Sequence, residues 1–160
     1  MLFRSVICPS LIFGRGLGLK PDSAQVPRLI GLARKYRVGR HVGRGENIWS
    51  NVHIDDLAEL YALALERAPA GAFYYAENGE NSMRETASAI SHMLGYGVRT
   101  VPLSTEEAVA ELGEVSAAYT YGSNSRVRAV RARSELGWSP RRRALLDDIE
   151  HGSYARSGSR

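Results

Sequence analysis

An apolar segment rich in branched side chains, residues 5–13 (SVICPSLIF), most limits the fold of this 160-residue chain. Such a run, ended by Gly14, is typical of a strand buried on both faces, which occurs where helices cover a parallel sheet. Further strand patterns follow at residues 48–54, 72–76 and 98–101, and helix patterns lie between them. This alternation predicts an α/β fold.

The helix patterns repeat apolar residues every three or four positions. The clearest helix, residues 55–67, has Asp55 and Asp56 in its first turn, where carboxylates cap exposed backbone N–H groups and offset the helix dipole. Two capping boxes, in which a serine precedes a glutamate by three residues, begin at Ser82 and Ser104 and predict a helix start at each. Other helices are predicted at residues 26–36, 125–136 and 142–151, and residues 39–45, which are rich in glycine and arginine, are predicted to form a turn region.

The composition predicts one globular domain over residues 1–156, with residues 157–160 as a frayed tail. Hydrophobic residues make up 44% of the chain and charged residues 24%, which is ordinary for a folded domain. No apolar run reaches the length of a membrane span. The single cysteine, Cys8, permits no internal disulfide, so we expect a cytoplasmic protein in which Cys8 is a small buried side chain.

Three motifs stand in order along the chain: PSLIFG at residues 9–14, NVHIDDLA at residues 51–58 and ELGWSP at residues 135–140. Together they resemble segments of the extended or atypical short-chain dehydrogenases/reductases, the family of NAD-dependent epimerases and dehydratases. The resemblance implies the C-terminal, substrate-side part of a Rossmann-type fold. In that part, an incomplete parallel sheet carries a helical substrate-binding region.

The resemblance also implies where ligands bind. NAD or NADP would meet the end of the first strand at Pro9, Leu11 and Ile12, because ligands of open α/β sheets lie beyond the carboxyl ends of the strands. A small hydroxyl or carbonyl substrate would contact the loops after that strand and before the helix at residue 55. The candidate substrate-binding residues are Phe13, Arg15, Asn47, Trp49, Asn51 and His53.

Two functional motifs of that family are absent from these 160 residues. Residues 14–18 carry three glycines, but no helix opens from the third one to receive a pyrophosphate. Neither lysine of the chain, Lys20 or Lys35, has a tyrosine four residues earlier, so the Tyr-x-x-x-Lys proton-transfer pair is missing. We expect no catalytic residue here, no tight NAD(P) binding by the chain alone, and a truncated oxidoreductase that is inactive without its N-terminal half.

Trp49 marks a further departure from the family pattern. The sugar-nucleotide members carry an arginine at this place, just before their V-H-V-D-D segment, and it binds diphosphate. An indole has one N–H donor and no charge, so it cannot neutralise phosphate. A nucleotide-sugar substrate is therefore not expected.

Two binding functions stay open beside the enzyme. A non-catalytic module would hold a protein partner through an exposed sheet edge or its arginine-rich tail. Seven arginines between Arg126 and Arg143 also suggest nucleic-acid binding. A solvated helix face explains them better, because Trp138 is the only aromatic side chain in that stretch to stack on a base.

Metal binding and hydrolysis are not expected. His41 and His53 lack the spacing of metal ligands and are unaccompanied by paired cysteines. Ser50, His53 and Asp55 would supply the residue types of a hydrolase triad. However, no G-x-S-x-G turn surrounds Ser50, and Asp55 fits better as a helix cap.

Overall fold

The computed structural model describes residues 5–157. The strands are β1 (Val6–Pro9), β2 (Leu11–Phe13), β3 (Gly39–Val42), β4 (Ile48–His53), β5 (Phe73–Ala76), β6 (Glu80–Ser82) and β7 (Thr100–Leu103). The helices are α1 (Gln25–Tyr36), α2 (Ile54–Arg67), α3 (Met83–Met93), α4 (Thr105–Leu112), a π-helix (Ser116–Tyr121), α5 (Val130–Leu136), α6 (Leu145–His151) and α7 (Ser153–Ser157). Of the predicted frayed tail, residues 158–160 lie outside the described part.

Mostly parallel pairs build the sheets. β1 lies beside β5, β2 beside β4 and β3 beside β7, all in parallel, and β6 joins β4 antiparallel. The chain enters β5 from β4 through helix α2, and β5 then lies parallel to β1, a pairing that needs a long connection of this kind. The predicted α/β fold is therefore confirmed. Both predicted capping boxes are present, at Ser82 and Ser104.

The predicted single strand over residues 5–13 is wrong, because the chain changes sheets at Ser10. The N–H and Oγ of Ser10 both donate to the carbonyl of Ala76, at 3.0 and 2.9 Å. β1 thus ends against β5, and β2 begins against β4. β1 is not buried on both faces either: Val6 is 51% exposed and Cys8 is half-buried, since β5 is the one strand paired with β1 in the described residues.

Two apolar cores lie on either side of this junction. One contains Phe13 and gathers side chains from α1, α3, α4, the π-helix and α6. The other is formed by α2, β5 and α5 around Tyr74 and Trp138. Because β2 contributes to the first core and Ile7 of β1 packs against the second, the segment through Ser10 connects them.

Three sequence expectations need correction. β3 occupies part of the stretch predicted to be a turn region, residues 39–45, and the predicted strand at residues 98–101 lies two residues later. The helix predicted from residue 125 begins at Val130, because the preceding residues run along β4. There Ser125 bridges Trp49, and the N–H of Val127 donates to Oγ of Ser50 at 3.0 Å.

The second and third sequence motifs meet at Asp56. Its side chain does not cap its own helix. The carboxylate accepts hydrogen bonds from the backbone N–H groups of Arg141 and Arg142, at 2.9 and 3.1 Å. The indole N–H of Trp138 donates to the main-chain oxygen of Asp56 at 2.9 Å. The cap of α2 is instead His53, whose Nδ1 accepts the N–H of Asp55 at 3.1 Å.

Candidate functional site

The carboxyl end of β1 is where the chain leaves one sheet for another, the kind of position at which α/β proteins form a ligand crevice. Pro9 and Ile12 are half-buried there, and Leu11 is buried beneath them. This small apolar surface is the place to which the family resemblance assigns the nicotinamide. The chain presents no strand–glycine turn–helix unit for the pyrophosphate of the same dinucleotide.

Phe13 and His53 form the best-defined contact among the candidate residues. They are register partners on β2 and β4, and their rings meet edge to face with centroids 5.3 Å apart. Gly14 follows with a φ of 93°, and a Cβ there would lie 2.7 Å from Nε2 of His53. Any other residue would therefore displace the imidazole that caps α2.

Asn47 and Trp49 lie at the start of β4, away from that contact. Nδ2 of Asn47 donates to the carbonyls of Tyr121 and Ser123, both at 2.9 Å, and Nε1 of Trp49 donates to Ser123 O at 2.8 Å. These donors hold the segment after the π-helix. Their polar groups are therefore engaged within the protein.

Asn51 and Arg15 complete the candidate set, in opposite environments. Asn51 is buried in the middle of β4, and its Nδ2 donates to Oδ1 of Asn81 at 3.0 Å. Arg15 is exposed on the loop after β2. The structure thus brings Phe13 and His53 together, holds Asn47 and Trp49 at a second place beside Ser123, and leaves Asn51 and Arg15 apart from both.

Sequence reasoning missed Tyr154, which anchors the loop after β2. Its Oη lies 3.1 Å from the N–H of Gly14, which donates to it, and 2.8 Å from Oγ of Ser23. Burial raises the pKa of this phenol, so it stays protonated at neutral pH. No local signal connects a tyrosine near residue 154 to a loop near residue 14.

The arginine-rich stretch is largely paired with carboxylates. Six of the seven arginines between Arg126 and Arg143 make ion pairs with glutamate or aspartate side chains. Arg126 and Arg128 both bind Glu80, at 2.6 and 2.9 Å. This pairing offsets the charge that a nucleic-acid phosphate would need.

Glu80 should remain ionised in acid. Hydrogen bonds from Arg128 and Arg126 lower the pKa of its carboxyl from 4.5 to about 2. A depressed folded-state pKa contributes stability above pH 4.5, and that contribution is lost as the pH falls through about 2. A carboxyl ¹³C NMR titration should show this midpoint, and Glu80→Gln should remove the matching acid-dependent part of the unfolding free energy. A Glu80 midpoint near 4.5 would contradict the assigned pairing.

The described residues contain neither a metal-binding cluster of side chains nor a membrane-spanning helix. Within residues 5–157, no three His, Cys, Asp or Glu side chains are grouped so that they could hold a metal ion. None of the helices in that range combines the length and apolar character that a membrane crossing requires.

Comparisons with known proteins identify relatives of about twice the length. No family model matches the chain. Uncharacterized proteins of Schizosaccharomyces pombe and Saccharomyces cerevisiae are each 32% identical to it, over 147 and 148 residues. An oxidase of Acremonium is 24% identical over 170 residues. Each match includes 91% of this chain but only 46 to 48% of the relative, so the chain spans about half the length of these proteins.

Solved structures match nearly the whole chain. UDP-glucose 4-epimerase from Thermotoga maritima superimposes with a TM-score of 0.69 at 14% identity, over 96% of this chain and 45% of that enzyme. A dTDP-glucose 4,6-dehydratase from Streptomyces venezuelae, solved with NAD, gives 0.69 at 20% identity, over 99% and 45%. The chain therefore has an α/β fold whose solved counterparts are the C-terminal halves of Rossmann-type epimerases and dehydratases.

Proposed function

We propose that this chain is the substrate-side part of a cytoplasmic NAD(P)-dependent oxidoreductase, epimerase or dehydratase that acts on a small hydroxyl or carbonyl compound. In this proposal the chain is inactive alone and works when a dinucleotide-binding half completes its sheet. The observation that carries the proposal is the unfinished pair of strands β1 and β5.

The β1–β5 pair and helix α2 beside it leave apolar side chains in solvent. Parallel sheets are normally covered by helices on both sides. Here Val6 is 51% exposed, and Leu65 on the neighbouring helix α2 is 89% exposed. Further partly exposed apolar side chains on these elements are Tyr61, Phe73 and Tyr75. Additional strands and their helices would cover these faces.

A groove of about 530 Å³ runs along the same elements. Its lining residues are Ser5, Val6, Ile7, Tyr61, Ala64, Leu65 and Ala68. We assign this groove and the free edge of β1 to a Rossmann-type half that adds a strand beside β1. The doubled length of the relatives supports this occupant, because they contain a comparable amount of chain beyond the matched part.

The chemistry divides between the two halves. In oxidation of an alcohol, the carbon–hydrogen bond breaks and its electron pair leaves with the hydride, while the hydroxyl proton goes to a base in the added half. When bound, NAD(P) supplies the hydride acceptor. From this chain, Pro9 and Ile12 would hold the nicotinamide end, with Leu11 buried behind them. His53, supported by the buried Phe13, would form a wall of the substrate pocket.

Complementation tests the proposal. This chain should bind the half of the Saccharomyces cerevisiae relative that it does not match, and the complex should bind NADH or NADPH, seen as enhanced nicotinamide fluorescence. Tyr61→Arg with Leu65→Arg should weaken assembly at least about tenfold, because two charges enter an apolar interface. Val98→Arg, at an exposed apolar residue elsewhere, should leave assembly unchanged.

The opposite outcome is equally clear. If the chain is monodisperse, unfolds cooperatively on its own and does not bind the added half, the oxidoreductase proposal fails. The non-catalytic protein-binding module would then be the better account.

A further inference from the structure

The loop after β2, residues 14–23, has a fixed base. The N–H of Gly16 donates to the carbonyl of Pro21 at 2.7 Å and closes the loop on itself. Below this closure, Gly14 and Ser23 are both held by Tyr154. The tip is therefore a closed turn on a rigid support, and motion of the tip would be confined to the residues between Gly16 and Pro21.

The tip carries two leucines in full contact with water. Leu17 and Leu19 are both fully exposed, and Gly18 separates them. Removing an exposed leucine side chain from water is favourable, so a tip of this composition is stabilised if it covers an apolar surface. Isolated exposed leucines are common, but here the pair belongs to a loop that already walls a cavity.

That cavity has a volume of about 240 Å³ and lies between the loop and the start of α2. Ile12, Ile54 and Pro21 give it apolar walls, while Ser23 and Gln25 add neutral polar groups. The loop packs closely on this wall, since a Cβ at Gly16 would lie 3.2 Å from Cδ1 of Ile54. Two exposed side chains of opposite charge, Lys20 and Asp22, also line the cavity, so its net charge does not favour an ion.

The size and lining indicate a class of ligand. A space of about 240 Å³ can hold several water molecules, each of which takes about 30 Å³ in the liquid, and therefore a small organic molecule. An apolar body would pack on the isoleucines, and one hydroxyl or carbonyl group would meet Ser23 or Gln25. A sugar, with a hydroxyl on nearly every carbon, would leave several of those groups without partners, which is costly.

We propose that this cavity binds a small, mainly apolar alcohol or ketone, and that Leu17 and Leu19 fold over the bound molecule as a lid. Only the identification of this ligand with the substrate rests on the proposed function. Binding of the ligand requires nothing beyond this chain. If the ligand is the substrate, the substrate class narrows from hydroxyl and carbonyl compounds in general to apolar ones.

Amide NMR on the ¹⁵N-labelled chain tests the cavity, with cyclohexanone as the probe and glucose as the polar comparison. Cyclohexanone should shift the amides of Gly14, Gly16, Ser23 and Gln25, and glucose should not. Ala24→Phe, which adds a ring at an exposed residue lining the cavity, should abolish the shifts. Cyclohexanone shifts confined to the groove along β1, or no shifts at all, would overturn the proposal.

The lid has its own variant. Leu17→Ser with Leu19→Ser should weaken cyclohexanone binding about tenfold without altering the fold, because neither side chain is buried in the free protein. Val115→Ser, at another exposed apolar residue, should bind as the unmodified chain does. Equal binding by the double variant would refute the lid. These measurements use the chain alone, so their failure is distinguishable from failed complementation by the dinucleotide-binding half.

Discussion

Replacing Asp56 with alanine is expected to lower the free energy of unfolding by about 3 kcal/mol. The carboxylate is 1% exposed and accepts the backbone N–H groups of Arg141 and Arg142. Hydrogen bonds to a charged group contribute about 1.5–3 kcal/mol each, and their loss leaves two main-chain donors without a protein partner. The C-terminal segment would therefore lose these hydrogen bonds to α2.

The neighbouring aspartate provides a matched control. Asp55 is exposed and pairs with Arg142 at 3.4 Å, so Asp55→Ala should cost no more than about 1 kcal/mol. Urea denaturation of both variants, followed by far-UV circular dichroism, measures the difference. Similar losses in the two variants would show that the segment after Trp138 is held by something other than Asp56.

Trp138→Ala should have an effect of similar or larger size, about 4 kcal/mol. The indole is 2% exposed within the core around Tyr74, and its N–H donates to the main-chain oxygen of Asp56. Truncation to alanine removes the ring, leaves a cavity and removes the hydrogen bond to the carbonyl of Asp56. Trp138→Phe keeps much of the packing, so it should cost less than half as much.

An exposed aromatic residue serves as the comparison for the tryptophan. Tyr119 lies in the π-helix and is largely exposed, so Tyr119→Ala should change stability by at most about 0.5 kcal/mol. Denaturation curves at two protein concentrations distinguish lost packing from altered association. A loss under about 1 kcal/mol in Trp138→Ala would mean that the second core does not depend on this side chain.

The elements that sequence predicted correctly are those with local signals. Ser82 and Ser104 each have a glutamate three residues later, and this capping-box pattern predicts the helix that starts there. α1 and α2 lie where apolar residues recur at helical spacing. β3 was missed because its residues, glycine, arginine, histidine and valine, do not alternate in polarity, and its pairing with β7 depends on residues about sixty positions away.

Side-chain partners were harder to predict than elements. Asp56 stands where an acidic cap is expected, and only the folded chain shows that residues 141 and 142 use its carboxylate instead. Phe13 and His53 follow from the sequence motifs and do meet. Ligand contact by these two residues, or by Pro9, Leu11 and Ile12, stays a prediction. It depends on the dinucleotide-binding half that the complementation experiment adds.

The single residue between β1 and β2 restricts how this region can change length. Side chains in a strand alternate between faces, so inserting or deleting one residue at Ser10 would exchange the faces of everything that follows. Phe13 and Leu11 would leave the first core, and Ile12, which packs against the second core, would enter the first in their place. Natural variation should therefore preserve the spacing between these strands even where it replaces their residues, while the exposed tip of the next loop, between Gly16 and Pro21, can lengthen.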